Sequence, residues 1–497
     1  MDTNQQAILS HTRKIIRFGL AKLHNNQKRK RSLLISHNHP AINYYANNLH
    51  IDSVSLRLCE SFLKKRAIYD AITKLFKGLE FNSTEKLPVL FTSIRSSASI
   101  ERIKKNLELQ IQGEIQISKS LSTAELLFTK KYQSHAKQKI ETIIHLGSGG
   151  SALGPQLLCN ALSYQQPQIT KSYTVYFISN VDGHPLAHAL SNSKPDTTLV
   201  IVNSKSFTTN ETLQNLSILK KWKKSFHKED FIAITANPEL AKTNGFHIDS
   251  IFTYPTWLGG RYSIFSPVSF IFQSLFGKNA YLQLLEGAQA SDEITKKKLL
   301  NKNPSLRSAM LDYLYHTLLK YQTRAIFIYE TRLALLLPYI QQLEMESNSK
   351  SITTSLKKIK TSTAPIIWGG LGTDSQHSLF QTLFQGTHLF PSEFITIKKP
   401  EHSLTDNHLW LLAHARAQQV ALRDGHNDLR PEKNCPGNKP SSHIQLESLN
   451  PFSLGALISY YELRTFLFGK LLQINSFDQM GVDFSKPIAK KIYESLK

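Results

Sequence analysis

The chain has 497 residues, 41% of them hydrophobic and 20% charged. That length suggests about two to four domains with ample cores, and the balance excludes disorder, collagen and coiled coil. Sixty Lys+Arg against 37 Asp+Glu give a net charge of +23, a field that draws anions: nucleic acid, membrane headgroups or phosphorylated metabolites.

Cys59, Cys159 and Cys435 are scattered and odd in number. They exclude a disulfide framework, form no CxxC metal pattern and fit a reduced, cytoplasmic setting. No stretch reaches the roughly 18 uncharged apolar residues of a membrane span. The longest uncharged apolar-rich run, between Arg261 and Lys278, holds serines and a proline and suits a buried helix. The N-terminus shows no apolar h-region with a small-residue cleavage site, so no secretory signal is expected.

In chain order, residues 1–135 read as mainly helical, with i, i+3/i+4 apolar spacing at 53–79 and 99–110. The densest basic block, Lys28-Arg29-Lys30-Arg31, stands in a segment whose only acid is Asp2; it reads as a solvated helix face rather than a transit peptide or nucleic-acid arm. At 139–147 (KIETIIHLG) a β-branched run ends in a Gly-rich turn before a helix at 155–163. Runs at 173–180, 197–204 and 231–237 repeat the theme, and strands alternating with helices imply a parallel sheet covered on both faces. A mostly helical stretch over 262–345 follows. A second series then places strands at 365–370, 394–399 and 442–447, with helices at 376–385, 406–422 and 452–473. The Gly-, Pro- and Asn-rich 424–441 is an exposed connection. The expected division is 1–135 helical, 136–262 first α/β unit, 263–350 helical connection, and 351–497 second α/β unit with terminal helices.

Ligands of parallel sheets bind beyond the carboxyl ends of strands, at glycine turns and helix N-termini. Ser204-Lys205-Ser206-Phe207-Thr208-Thr209-Asn210-Glu211 directly follows a strand. Thr208 and Glu211 have capping-box spacing, so a helix is expected to start there with free N–H groups and partial positive charge. Ser204, Ser206 and Thr209 add hydroxyls and Lys205 a full charge, which suits a phosphate monoester. A plain Ser/Thr cap would share the hydroxyls, but the crowded lysine favours phosphate. Gly147-Ser148-Gly149-Gly150-Ser151 is a second such turn, and it is not a Walker loop because GK[ST] is absent.

Eight segments, in order over about 40–497, resemble the phosphoglucose isomerase family: 147–155, Ser179-Asn180-Val181-Asp182-Gly183, 204–212, Gly259-Gly260-Arg261-Tyr262-Ser263, Met345-Glu346-Ser347-Asn348, Gly372-Thr373 with Gln376-His377-Ser378, 451–458, and Phe477-Asp478-Gln479 with Gly481-Val482. The resemblance implies an α/β fold with two sugar-isomerase (SIS-type), doubly wound parallel-sheet subdomains and helical N- and C-terminal arms. It implies a homodimer that interconverts glucose 6-phosphate and fructose 6-phosphate without metal or organic cofactor. It further implies that Ser204, Lys205, Ser206 and Thr209 hold the phosphate, and that Gly149, Gly150 and Ser151 line the sugar. Arg261 would stabilise a cis-enediolate, Gln479 would contact substrate, and Lys486 would assist ring opening.

Three positions depart from the family pattern, the least of them Ala152, where the family's G-G-S-D-L-G-P has its aspartate. The family's W-G-E-P-G-T-N-G-Q-H reads Trp368-Gly369-Gly370-Leu371-Gly372-Thr373-Asp374-Ser375-Gln376-His377 here, so its proton-shuttling glutamate is Gly370. Its ring-opening histidine aligns to Glu401, with His402 one residue later. Either Asp374 or Glu401 reaches the sugar as a surrogate base, or the phosphate grip is kept and most of the turnover is lost. The competing classes are a sugar-phosphate binder with weak or no turnover and, on charge alone, a nucleic-acid binder. Neither a nucleic-acid nor a membrane partner is expected, since one phosphate loop accounts for the basic site.

Overall fold

In this computed structural model, which describes residues 1–95, 116–164 and 173–496, the β-branched runs form strands. In chain order these are β1 (Leu34–Asn38), β2 (Ala41–Asn48), β3 (Phe81–Asn82), β4 (Leu87–Pro88), β5 (Thr142–Gly147), β6 (Thr174–Ile178), β7 (Thr198–Asn203), β8 (Phe231–Thr235), β9 (Ile251–Thr253), β10 (Thr323–Tyr329), β11 (Ile366–Leu371), β12 (Ser392–Ile397) and β13 (Ser441–Leu446). The first sheet is wholly parallel in the order β6-β5-β7-β8-β9. Its winding reverses between β5 and β7, and a crevice opens at the carboxyl ends of strands on either side of such a reversal.

The second sheet runs β1-β2-β13-β12-β10-β11. Its four parallel strands repeat that winding, with the reversal between β10 and β12. The two doubly wound sheets share one apolar layer, running from Ile143 and Ile201 through Phe272 and Leu457 to Ile326 and Ile395. Separate clusters around Val202 and Phe207 and around Phe327 and Phe394 cover their other faces. Within the shared layer, helix Phe270–Lys296 crosses helix Pro451–Leu472. A Cβ on Gly455 would strike the Leu284 carbonyl, and one on Gly287 the Phe452 carbonyl, so these glycines set how closely the two backbones approach.

The structure departs from the sequence reading in three places. The N-terminal region supplies the hairpin β1–β2, which pairs antiparallel with β13. β2 buries alternate residues, among them Ile42, Tyr44 and Ala46, a period-2 pattern masked by its asparagines. β10 lies inside the stretch read as helical, because a short apolar run carries no periodicity that separates a buried strand from a buried helix. The basic block does form a helix, Gln27–Leu33, but Arg29 is buried and donates to the carbonyls of Ile51, Asn47 and Leu49 at 2.8, 2.9 and 2.6 Å. The helix expected at 99–110 lies outside the described residues. Among the described residues no helix is long and apolar enough to cross a membrane.

Candidate active site

Both Gly-rich and Ser/Lys-rich turns open at the first sheet's winding reversal: β5 leads into Gly147–Gly150 and β7 into Ser204–Thr209. Asn203 ties them together, its Nδ2 donating to the carbonyls of Ser151 and Val268, each at 3.1 Å. Gly149 has φ +54, and a Cβ there would stand 2.8 Å from Gln342 Nε2; a Cβ on Gly150 would collide with the Gly260 carbonyl. Bare backbone at Gly149 and Gly150 is thus packed against the segment carrying Arg261.

In the phosphate loop Ser204 is buried, and its Oγ has no partner among the described residues. Burial lowers the pKa of the Lys205 ammonium; Glu85 opposes that shift and Arg261 adds to it. Lys205 therefore stands within electrostatic reach of both. Phe207 adopts φ +56, costly for a non-glycine residue, and is held there by burial edge-on against Phe246. The expected capping box does not form. The Thr208 and Ser206 hydroxyls share a 2.6 Å hydrogen bond, and the helix starts one residue later at Asn210, with Thr209 at the N-cap making no side-chain capping bond.

Arg261 is 4% exposed. Its Nε donates to Ser347 Oγ at 2.6 Å, one terminal nitrogen to Gln479 Oε1 at 2.9 Å, and the other to the carbonyls of Ser476 and Asp478 at 2.8 and 3.1 Å. Glu346 Oε1 lies 3.4 Å from the guanidinium, while Glu346 Oε2 accepts from Gln342 Nε2 at 3.0 Å. Gln342 Oε1 is buried without a partner among the described residues. Lys350 Nζ donates to the carbonyls of Glu346 and Asp478 and pairs with the Asp478 carboxylate. The predicted Gly149, Gly150, Arg261 and Gln479 are thus brought together. Sequence reasoning missed Gln342, Glu346 and Lys350 as site residues; the quoted segment 345–348 was the only cue.

Other predicted residues lie elsewhere. Lys486 is exposed on helix Lys486–Ser495, which buries none of its residues, and its Nζ is 2.5 Å from Asp483 Oδ1. Glu401 Oε2 accepts from Arg332 at 2.5 Å, and Arg332 is clamped also by Glu330. His402 is exposed, its Nδ1 accepting from the Leu404 N–H. Asp374 is exposed on the short helix Gly372–Gln376. The neighbouring glycines differ in kind. Gly369 has φ +136 and a Cβ there would strike the Ile326 carbonyl; a Cβ on Gly372 would strike the Tyr329 ring; at Gly370 it would meet only Ser375 Oγ, at 3.1 Å. A side chain at Gly370 would therefore require the Ser375 hydroxyl to give way by a few tenths of an ångström. Among the described residues no group of three or more His, Cys, Asp and Glu could hold a metal ion.

A family model described as phosphoglucose isomerase matches residues 44–497. The glucose-6-phosphate isomerase of Sphingopyxis alaskensis is 37% identical over 450 residues, covering 90% of this chain and 87% of that relative. That of Zymomonas mobilis is 38% identical over 438 residues, 85% of this chain and 84% of the relative. The crystal structure of a glucose-6-phosphate isomerase from Chlamydia trachomatis superimposes with a TM-score of 0.86 at 29% identity, covering 100% of this chain and 96% of the other. With matches of this length in sequence and in three dimensions, the chain belongs to the phosphoglucose isomerase family.

Proposed function

We propose that the protein interconverts glucose 6-phosphate and fructose 6-phosphate at the crevice between β5 and β7. Ser204, Lys205, Ser206 and Thr209 receive the phosphate, Gly149, Gly150 and Ser151 lie along the sugar, and Gln479 contacts it. The observation that carries this reading is the buried Ser204 hydroxyl, left without a partner among the described residues beside a half-buried lysine at the winding reversal. A buried hydroxyl without a partner costs roughly 1–3 kcal/mol, and a phosphoryl oxygen would recover it.

Isomerisation opens the ring, removes the proton on C2 of the aldose and returns one to C1 through a cis-enediolate. Arg261 suits the charged stage: its guanidinium is permanently charged, buried and held rigid by four hydrogen bonds. The ring-opening roles expected of Lys486, His402 and Glu401, and the surrogate-base role expected of Asp374 or Glu401, gain no support from their places outside the Arg261 cluster. A coupled assay with fructose 6-phosphate and a glucose-6-phosphate dehydrogenase tests the isomerase reading. Steady turnover is expected. No turnover, with Lys205-dependent binding of a sugar phosphate, would instead support the second reading that Gly370 favours, a binder that has lost its chemistry.

The same proposal includes a homodimer and a cytoplasmic location. Supporting the dimer, the C-terminal segment exposes Val482, Phe484, Ile488, Ile492 and Leu496, an apolar stripe that a second copy would cover; size-exclusion chromatography with light scattering checks it. Supporting the location, all three cysteines are free and two are buried.

A further inference from the structure

We propose that the outer edge of β1 is a docking site for an acidic, extended segment of another protein, which joins the second sheet there as an added strand. The site shares no residue with the Arg261 cluster, so the proposal is independent of the isomerase reading.

β1 ends its sheet. β2 is its one strand neighbour, and their register runs unbroken from Leu34–Tyr45 to Asn38–Ala41. Among the described residues, no hydrogen bond from any other segment reaches the main chain of β1 beyond Leu34. A row of open N–H and C=O groups is a template for another chain. Natural edges are blunted by a bulge, a proline or a lysine in the strand, or by a covering segment; β1 reads Leu-Ile-Ser-His-Asn and has none of the first three. β9 shows the covered case: the Gln116 N–H donates to the Thr253 carbonyl at 3.1 Å, and Gln116 Oε1 accepts from the Thr253 N–H at 3.2 Å. At ~3.4 Å per residue the edge of β1 spans about 17 Å, enough for about five residues of a partner strand.

The edge borders a groove of about 1200 Å³ between β1, helix Ser53–Lys65 and residues 294–302. Part of its surface is apolar, with Leu34 and Leu299 39% and 45% exposed. It also holds Arg31, Arg57, Lys297 and Lys302, all exposed and none with a side-chain partner among the described residues. Its one acid, Glu60, lies 4.0 Å from Lys64. Because successive side chains of a strand point to opposite faces, a segment that alternates acidic and apolar residues can use both kinds of surface at once.

Charge selects the occupant. A second copy of this chain, paired edge to edge, would set the same four cations against themselves, and opposed like charges are destabilising. An acidic segment supplies the counter-charges instead, and the same field steers its approach. The open main-chain edge and the apolar surface favour a peptide over a nucleic acid, whose phosphates use neither.

The test is fluorescence anisotropy on the full chain with a fluorescein-labelled eight-residue peptide of alternating Glu and Val. Binding is expected with a dissociation constant below about 100 µM in 50 mM salt, weakening severalfold at 200 mM. Arg57→Glu together with Lys297→Glu should weaken it at least about tenfold while the urea midpoint stays that of the wild type. Should that pair fail to fold, Arg31→Glu with Lys302→Glu takes its place under the same expectation. Of two peptides N-methylated at alternate residues, all valines or all glutamates, one should lose at least about tenfold, because its methyl groups block the ladder to β1. No binding at 1 mM peptide overturns the proposal, as does a folded double variant that stays within threefold of wild type. Undiminished binding of both N-methylated peptides overturns strand addition and leaves charge attraction alone. A single-stranded oligo-dT of eight nucleotides that binds as tightly as the peptide overturns the choice of partner.

Discussion

At the first sheet's winding reversal, Lys205 lies within electrostatic reach of Arg261 and Glu85, in a loop whose Ser204 hydroxyl has no partner among the described residues. At the equivalent reversal of the second sheet, between β10 and β12, Arg332 is held by both oxygens of Glu330 and by Glu401. The two strand ends come from the same winding, yet one leaves a buried hydroxyl without a partner among the described residues and the other pairs its arginine with two carboxylates. Topology supplies two candidate mouths, and side-chain pairing decides which one is open to an anion.

Variants at matched positions break or sharpen that contrast. The largest effect is expected at Arg261: Arg261→Lys removes the planar fork that reaches Ser347, Gln479 and two carbonyls at once, and kcat in the coupled assay should fall about 10²–10³-fold, whereas Arg332→Lys should leave it within threefold. Next, Lys205→Ala should weaken binding of glucitol 6-phosphate by about 10–100-fold in calorimetry, the worth of one charge-assisted hydrogen bond. Arg332→Ala should leave that constant unchanged, and an equal loss in both would mean the second mouth binds phosphate too.

The glycines after β11 provide a stability contrast. Gly372→Ala drives a methyl into the Tyr329 ring and Gly369→Ala into the Ile326 carbonyl; each should cost about 1–3 kcal/mol by urea unfolding. Gly370→Ala, facing only the Ser375 hydroxyl, should cost less than about 1 kcal/mol. If the Ser375 hydroxyl rotates aside, Gly370→Glu should raise kcat in the coupled assay by about tenfold or more, and no gain would mean a carboxylate at the end of β11 does not reach the sugar.

The smallest effect is a slope in pH. His145, buried in β5 with neither ring nitrogen partnered among the described residues, is pushed down to about 4 from 6.5 by burial, as is His443 of β13. The unfolded chain takes up these protons near pH 6.5 and the folded chain only near 4. Stability is therefore complete above pH 6.5 and is lost as pH falls through that window, by up to about 1.4 kcal/mol per unit for each group. His145→Leu should flatten the difference between urea midpoints at pH 7 and pH 5; an unaltered difference would show that His145 is already charged in the fold.

Much of this was legible in the residues. The strand ends at Gly147 and Asn203 were readable because β-branched runs buried on both faces stop abruptly at glycine or polar turns, and the hydroxyls and lysine of 204–209 follow at once. The hairpin β1–β2 and strand β10 were not, since an Asn-rich alternation and a short apolar run carry no period of their own. Thr208 illustrates the limit of spacing: its capping distance to Glu211 was right, but its hydroxyl bonds Ser206 and the helix starts one residue on.

By itself the sequence determined the alternation of strands and helices and the hydroxyl-and-lysine composition of one loop, because these depend on local order along the chain. Only the tertiary structure decided that Glu346, 85 residues beyond Arg261 in number, meets its guanidinium, and that Glu401 is taken by Arg332. Such pairings are made by segments distant in the chain that share one apolar layer, and no periodicity records them.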